Sequence, residues 1–154
     1  MATWLNKLVL PPVVMAVCAL GMLVARWLAD EQWQVRFANL SGSALLLVIA
    51  AAIMFSASRS FLRAGTTLHP QKLQQVSALI VSGSFRFSRN PIYLGQMLLL
   101  AAWALALGGW GVWLWWLLYF AYLDGVQIPR EEKFLQARFG EDYTSFCRRV
   151  RRWL

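Results

Sequence analysis

Charge is what this sequence has least of. Only 14% of its 154 residues are Asp, Glu, Lys or Arg, against 59% hydrophobic, where a soluble domain would be about a quarter charged and about half apolar. Histidine occurs once, at His69, and cysteine twice, at Cys18 and Cys147. That supply builds neither a His/Cys metal cluster nor a disulfide framework, so no metal is expected. No GxGxxG follows a strand pattern, and GxxxxGK[ST] and GxSxG are missing. Without alternating strand and helix patterns, soluble cofactor folds are excluded. There is no internal repeat, no low-complexity segment and no nucleic-acid recognition module, so the net charge of +8 is not read as a nucleic-acid signal.

What is present is four apolar blocks, and they predict an all-α, polytopic membrane bundle of about four transmembrane helices in a single domain, 1–154. The predicted spans are about 8–28, 40–57, 90–107 and 110–128, since a bilayer core needs roughly 20 helical residues. The third is the shortest, and only Gly108-Gly109 separates it from the fourth, which predicts an antiparallel hairpin. The first block has Lys7 before it but is too long for a signal core and ends in Arg-Trp-Leu, so it reads as a retained helix. Pro11 and Pro12 fall near its first turn, where proline costs least.

The few charges are unevenly placed. The first link holds Arg26, Asp30, Glu31 and Arg36, which cancel. The connector 59–89 holds Arg59, Arg63, Lys72, Arg86 and Arg89 and no acid. The tail 129–154 holds seven bases against Glu131, Glu132, Glu141 and Asp142. The positive-inside rule places the connector, the tail and both termini on the cytoplasmic side of a multi-pass cell (inner) membrane protein, with anionic membrane lipid as a partner.

Two cytoplasmic stretches stand out. The connector is long, polar and punctuated by Gly65, Pro70 and Gly83, which suits binding groups better than a plain link. In the tail, Pro129 is expected to stop the fourth span and open a new helix that Gly140 ends. A last helix from about Glu141 sets Tyr143, Phe146, Cys147, Val150 and Trp153 on one face beside arginines, an amphipathic helix expected to lie on an anionic surface. Glu131 and Glu132 could simply complement a helix dipole. Asp124 lies within the fourth span, where an unpartnered carboxylate costs on the order of a few kcal/mol. If the helix continued through Pro129, Asp124, Gln127 and Glu131 would share a face, and Gln96 could supply the facing wall. Trp110, Trp113, Trp115 and Trp116 read as an interfacial belt.

The segments "GTTLHP", "LIVSGSFRFSRNPIYLG" and "EEKFLQARFGEDYTSF" together resemble the isoprenylcysteine carboxyl methyltransferase family of integral membrane enzymes, of the bacterial, phospholipid methyltransferase-like type. The resemblance runs from residue 65 to about 153. It implies S-adenosyl-L-methionine as methyl donor in a cytoplasmic pocket. Carried over position by position, the cofactor contacts would be Gln71, Ala78, Leu79, Ile80, Val81, Phe85, Asn90, Pro91, Ile92, Tyr93 and Glu131. Gln127 stands where the prenylcysteine enzymes carry an arginine for the substrate carboxylate. Gln127 and Gln96 are therefore the expected acceptor contacts, for a lipophilic or small acceptor bearing a carboxylate, thiol or amine. An amine or thiol would have to lose a proton, which Asp124, Glu131 or Glu132 could take. The competing reading is a non-enzymatic membrane scaffold that binds anionic lipid. A small transporter with Asp124 as its coupling acid is a weaker rival.

Overall fold

The computed structural model describes residues 10–29, 37–65 and 78–154. Every regular element among them is helical, as the apolar blocks predict. The helices are α1 (Pro11–Leu28), α2 (Phe37–Arg63), α3 (Pro91–Leu107), α4 (Gly111–Tyr122), α5 (Ile128–Phe139) and α6 (Glu141–Arg149). A 3₁₀ turn occupies Gly83–Arg86 and a π turn Leu123–Gln127. By length and composition α1 and α2 can each cross a bilayer, whereas α3 is apolar but shorter.

α1 opens with Pro11 and Pro12 in its first positions, where a missing N–H leaves no hydrogen bond unmade. α2 runs six residues beyond the predicted end at 57, because nothing from Ser58 to Arg63 breaks a helix. This end of α2 does structural work. Ser84 N–H donates to Ser56 Oγ at 3.1 Å, and Ser60 Oγ donates to Ser82 O at 3.3 Å. Gly83 between them has φ +63°, and a Cβ there would fall 2.4 Å from Ser60 Oγ. Only glycine lets the connector turn this close to α2.

α2 and α3 form the most extensive helix pair, and small residues bring them together. Ala50 and Ala57 are fully buried, Ser43 Oγ donates to Ala102 O at 2.9 Å, and a Cβ on Gly95 would meet Met54 Cγ at 2.3 Å. α1 packs mainly on α4, with Met22, Tyr119 and Leu123 at the centre of that core. The tryptophans divide: Trp110 is 91% exposed, as a belt residue would be, but Trp116 donates its indole N–H to Met97 O at 2.9 Å and stacks on Phe120. Trp116 is bundle packing.

Two expectations fail in instructive ways. Pro129 does not stop the fourth segment; α4, the π turn and α5 are one helical rod from 111 to 139. The π turn carries Ile128 N–H to Leu123 O, five residues back. It relieves the register just where proline offers no N–H of its own. The last helix is amphipathic, but it ends at Arg149 and its apolar face is already occupied. Tyr143 and Phe146, with Val150 beyond the end, pack on Ala57, Ile80 and Phe85. Each buried aromatic contributes about 1.5–3 kcal/mol, so the apolar face packs on the protein body and the polar residues, Arg148 and Arg149 among them, point outward.

Candidate functional site

A cavity of about 340 Å³ opens where the ends of these elements converge. α1 contributes Pro11 and Pro12, and α2 contributes Met54, Ser58 and Phe61. The connector adds Ala78, Leu79, Ile80 and Phe85, and the stretch before α3 adds Arg89 and Asn90. Pro91, Ile92, Tyr93 and Gln96 of α3 face Glu131, Glu132 and Leu135 of α5, while Tyr143 and Phe146 of α6 close the wall. The size falls within the usual range for small-molecule sites, about 300–1,000 Å³.

One wall is polar by design of the helix phases. Tyr93 OH donates to Glu131 Oε1. Gln127 Nε2 donates to the same oxygen at 2.7 Å and approaches Tyr93 OH at 3.4 Å. Tyr122 OH holds the other end of Gln127, donating to Oε1 at 3.2 Å. The Glu131 carboxyl sits above its ordinary value of 4.5 because burial penalises the anion more than the Tyr93 and Gln127 hydrogen bonds favour it. A largely buried carboxylate with only neutral donors around it is a half-made ion pair, ready for a cation. Deeper along α3, Gln96 Oε1 accepts from Tyr119 OH at 2.6 Å, which pins the amide.

The other wall is charged and closed by the last residues of the chain. Arg152 forks onto Glu132, with Nη2 at 2.6 Å and Nε at 3.3 Å, and its Nη1 lies 3.2 Å from Asp124. Arg89 Nη2 is 3.2 Å from Glu132 Oε1, and Arg89 Nη1 donates to Cys147 Sγ. Its Nε is buried with no acceptor among the described residues. Trp153 donates to Asp124 at 3.0 Å and lies on Phe120, ring centroids 5.4 Å apart.

Of the residues singled out from the sequence, Ala78, Leu79, Ile80, Phe85, Asn90, Pro91, Ile92, Tyr93, Gln96, Glu131 and Glu132 all line this cavity. Gln71 lies outside the described residues. Val81 is 46% exposed and not in the wall. Gln127 stands behind the wall and acts on it through Glu131. Asp124 corrects the expectation of a shared face with Gln127 and Glu131. The wider π turn sets it outside the cavity wall, where it pairs with Arg152 and accepts from Trp153. Asn90 stays outside α3 as its cap residue, yet its Nδ2 donates to Arg152 O at 3.0 Å. The sequence reading passed over Arg89, although it adjoins the Asn-Pro pair, and over Tyr143 and Phe146 as cavity residues, although their spacing put them on one face. Met54, Ser58 and Phe61 carry no motif that would have found them. No group of three His, Cys, Asp or Glu among the described residues could hold a metal ion.

The phospholipid methyltransferase family matches residues 39–142, from the start of α2 to the first turn of α6. An uncharacterized protein of Haemophilus influenzae is 40% identical over 63 residues, 41% of this chain and the whole of that protein. No solved structure matches.

Proposed function

The chain belongs to the phospholipid methyltransferase family, and with two helices able to cross a bilayer it is membrane-associated; on that premise we propose that it is an integral membrane methyltransferase using S-adenosylmethionine. In this reading residues 1–154 form one multi-pass domain, the cavity faces the cytoplasm, and the acceptor is a lipophilic or small molecule bearing a carboxylate, thiol or amine. The observation that carries it is the Tyr93–Gln127–Glu131 group, one largely buried carboxylate in the wall of an otherwise mostly apolar, aromatic-flanked cavity.

The residues suit the cofactor. Glu131 offers a carboxylate to an ammonium or sulfonium, Arg89 carries a buried donor with no acceptor among the described residues, and Phe85, Tyr93 and Tyr143 offer flat faces to a planar base. When bound, the cofactor supplies a methyl group already activated on a sulfonium. The chain's task is then to orient, to exclude water and, for some acceptors, to take a proton. Tyr93 and Gln127 keep Glu131 in one rotamer. Gln96, one helical turn along α3 from Tyr93 and fixed by Tyr119, can hold an acceptor's polar group. Glu131, raised by burial, is the better proton acceptor of the two glutamates, because Glu132 is already shared by two arginines.

The test is calorimetric titration of the detergent-purified protein with S-adenosylmethionine and S-adenosylhomocysteine, beside Tyr93→Ala and Glu131→Gln. Saturable micromolar binding lost in both variants supports the reading. Folded, monodisperse protein that binds neither compound would return the chain to the scaffold reading.

A further inference from the structure

The lip of the cavity, Phe87 to Asn90, has few anchors of its own. Two bonds to Ser84 O, from Phe87 N and Ser88 N, and one turn bond from Asn90 N to Ser88 Oγ are local. Its long-range bonds from the backbone and from the Ser88 and Asn90 side chains go to the segment after α6, while the Arg89 side chain reaches Cys147 of α6 and Glu132 of α5. Arg89 N–H donates to Arg151 O at 3.0 Å, Ser88 Oγ to Arg152 O at 3.3 Å and Asn90 Nδ2 to Arg152 O at 3.0 Å. Ser88 is 1% exposed, so this contact is sealed. The same residue that receives two of these bonds on its carbonyl sends its guanidinium across to α5 and the π turn. There Glu132 is gripped at two nitrogens and Asp124 at a third. Arg152 thus ties the lip wall of the cavity to the α5 wall through one side chain and one carbonyl. Its position also falls beyond residues 39–142, the stretch the family match covers.

We propose that Arg152 is a positioning residue of the methyl-transfer site: it fixes the distance between the Ser88–Asn90 lip and the Glu131–Glu132 wall, and so sets how tightly the cofactor is held. The inference rests on the cofactor reading above. A planar fork is needed, since two carboxylates are met at once with separate nitrogens, and an ammonium on a flexible stem meets them only as a point charge. The outward arginines of α6 carry the same charge without either contact. Arg149 instead donates to Ser145 O, one turn back.

The experiment is titration of S-adenosylhomocysteine into the full-length protein in detergent, comparing wild type, Arg152→Gln, Arg152→Lys and the charge-matched Arg149→Gln, with a thermal melt of each. We expect Arg152→Gln to weaken binding about tenfold and Arg152→Lys about threefold, with Arg149→Gln equal to wild type. Partial rescue by lysine is the readout that a purely structural role would not give at an unchanged melting temperature. If Arg152→Gln does not fold, the lysine variant decides the matter alone: binding equal to wild type overturns the proposal. It is equally overturned if both Arg152 variants bind like wild type, or if Arg149→Gln weakens binding as much as Arg152→Gln, which would make the effect one of net charge. Absence of binding by the wild type would instead sink the cofactor reading on which the proposal stands.

Discussion

Glu131 and Glu132 are neighbours in sequence and opposites in circumstance. Glu131 is surrounded by neutral donors, a phenol and an amide, with no cation in reach among its hydrogen bonds. Glu132 is shared between Arg89 and Arg152. One helical step, about 100° of rotation, carries the chain from a wall that lacks a positive charge to a wall that has two. The lesson is that an acidic pair at the start of a helix can split into a binding group and a fastening. The environment, not the residue type, assigns the parts.

The contrast can be broken first at the glutamates themselves. Glu131→Gln is expected to weaken S-adenosylhomocysteine binding about a hundredfold, the upper end for a lost charge-assisted contact. Glu132→Gln should cost about tenfold, since it removes only one side of a partly exposed ion-pair group. Equal losses in a calorimetric comparison would erase the distinction between the two glutamates.

Acidity sharpens it further. Binding of a cationic ligand requires the Glu131 anion, so affinity should decline as pH falls through its raised value, with the midpoint above 4.5. Below that midpoint the loss approaches about tenfold per pH unit. Glu132→Gln should keep this limb and Glu131→Gln should lack it, which a titration at several pH values would reveal.

Stability should move the other way. A carboxyl raised in the folded state takes up a proton on folding, so its favourable contribution is complete below the ordinary value of 4.5 and is lost as pH rises through the raised one. At neutral pH, Glu131→Gln should therefore melt a few degrees higher than wild type, as about 1 kcal/mol shifts a chain of this size by roughly 2–4 °C. A lower melting temperature would mean that the Tyr93 and Gln127 bonds outweigh the burial of charge. The smallest effect is salt. Raising ionic strength should weaken wild-type binding by about two- to threefold through the Arg152 contacts, and leave Arg152→Gln nearly indifferent.

Much of the bundle was legible because apolar runs and helix starters are local properties. Leu8–Leu28 and Asn90–Leu107 read as helices from their composition, and Pro11 and Pro91 do mark the starts of α1 and α3. The π turn was not legible, since Leu123–Gln127 contains no residue that distinguishes it from ordinary helix, and Pro129 argued for a stop. Missing that turn is why Asp124 was grouped with Gln127 and Glu131. The contacts of Arg152 were equally out of reach. They join residues 20 to 64 positions apart, and the spacing of Tyr143, Phe146 and Val150 describes an apolar face without saying whether lipid or protein covers it. On the cavity wall, most residues of the connector and of the start of α3 were found, Arg89, Tyr143 and Phe146 were missed although they lie in motif-bearing stretches, and those of α2 were missed because an alanine- and leucine-rich helix carries no mark of what it borders.

The π turn also says something about how this site tolerates changes in length. It holds one residue more than an ordinary turn would, ahead of everything that α5 presents. Deleting Gly125, which is exposed, would let the rod close into an uninterrupted α-helix. Five residues in the wide turn cover nearly the same arc as four in an ordinary one, so α5 would keep its phase and Glu131 would still face Tyr93. The π turn is thus the place where the rod can carry or lose one residue. The same deletion elsewhere between α4 and α5 would swing α5 by about 100° and slide it by about 1.5 Å, parting Gln127 and Glu131 from Tyr93 with no side chain altered.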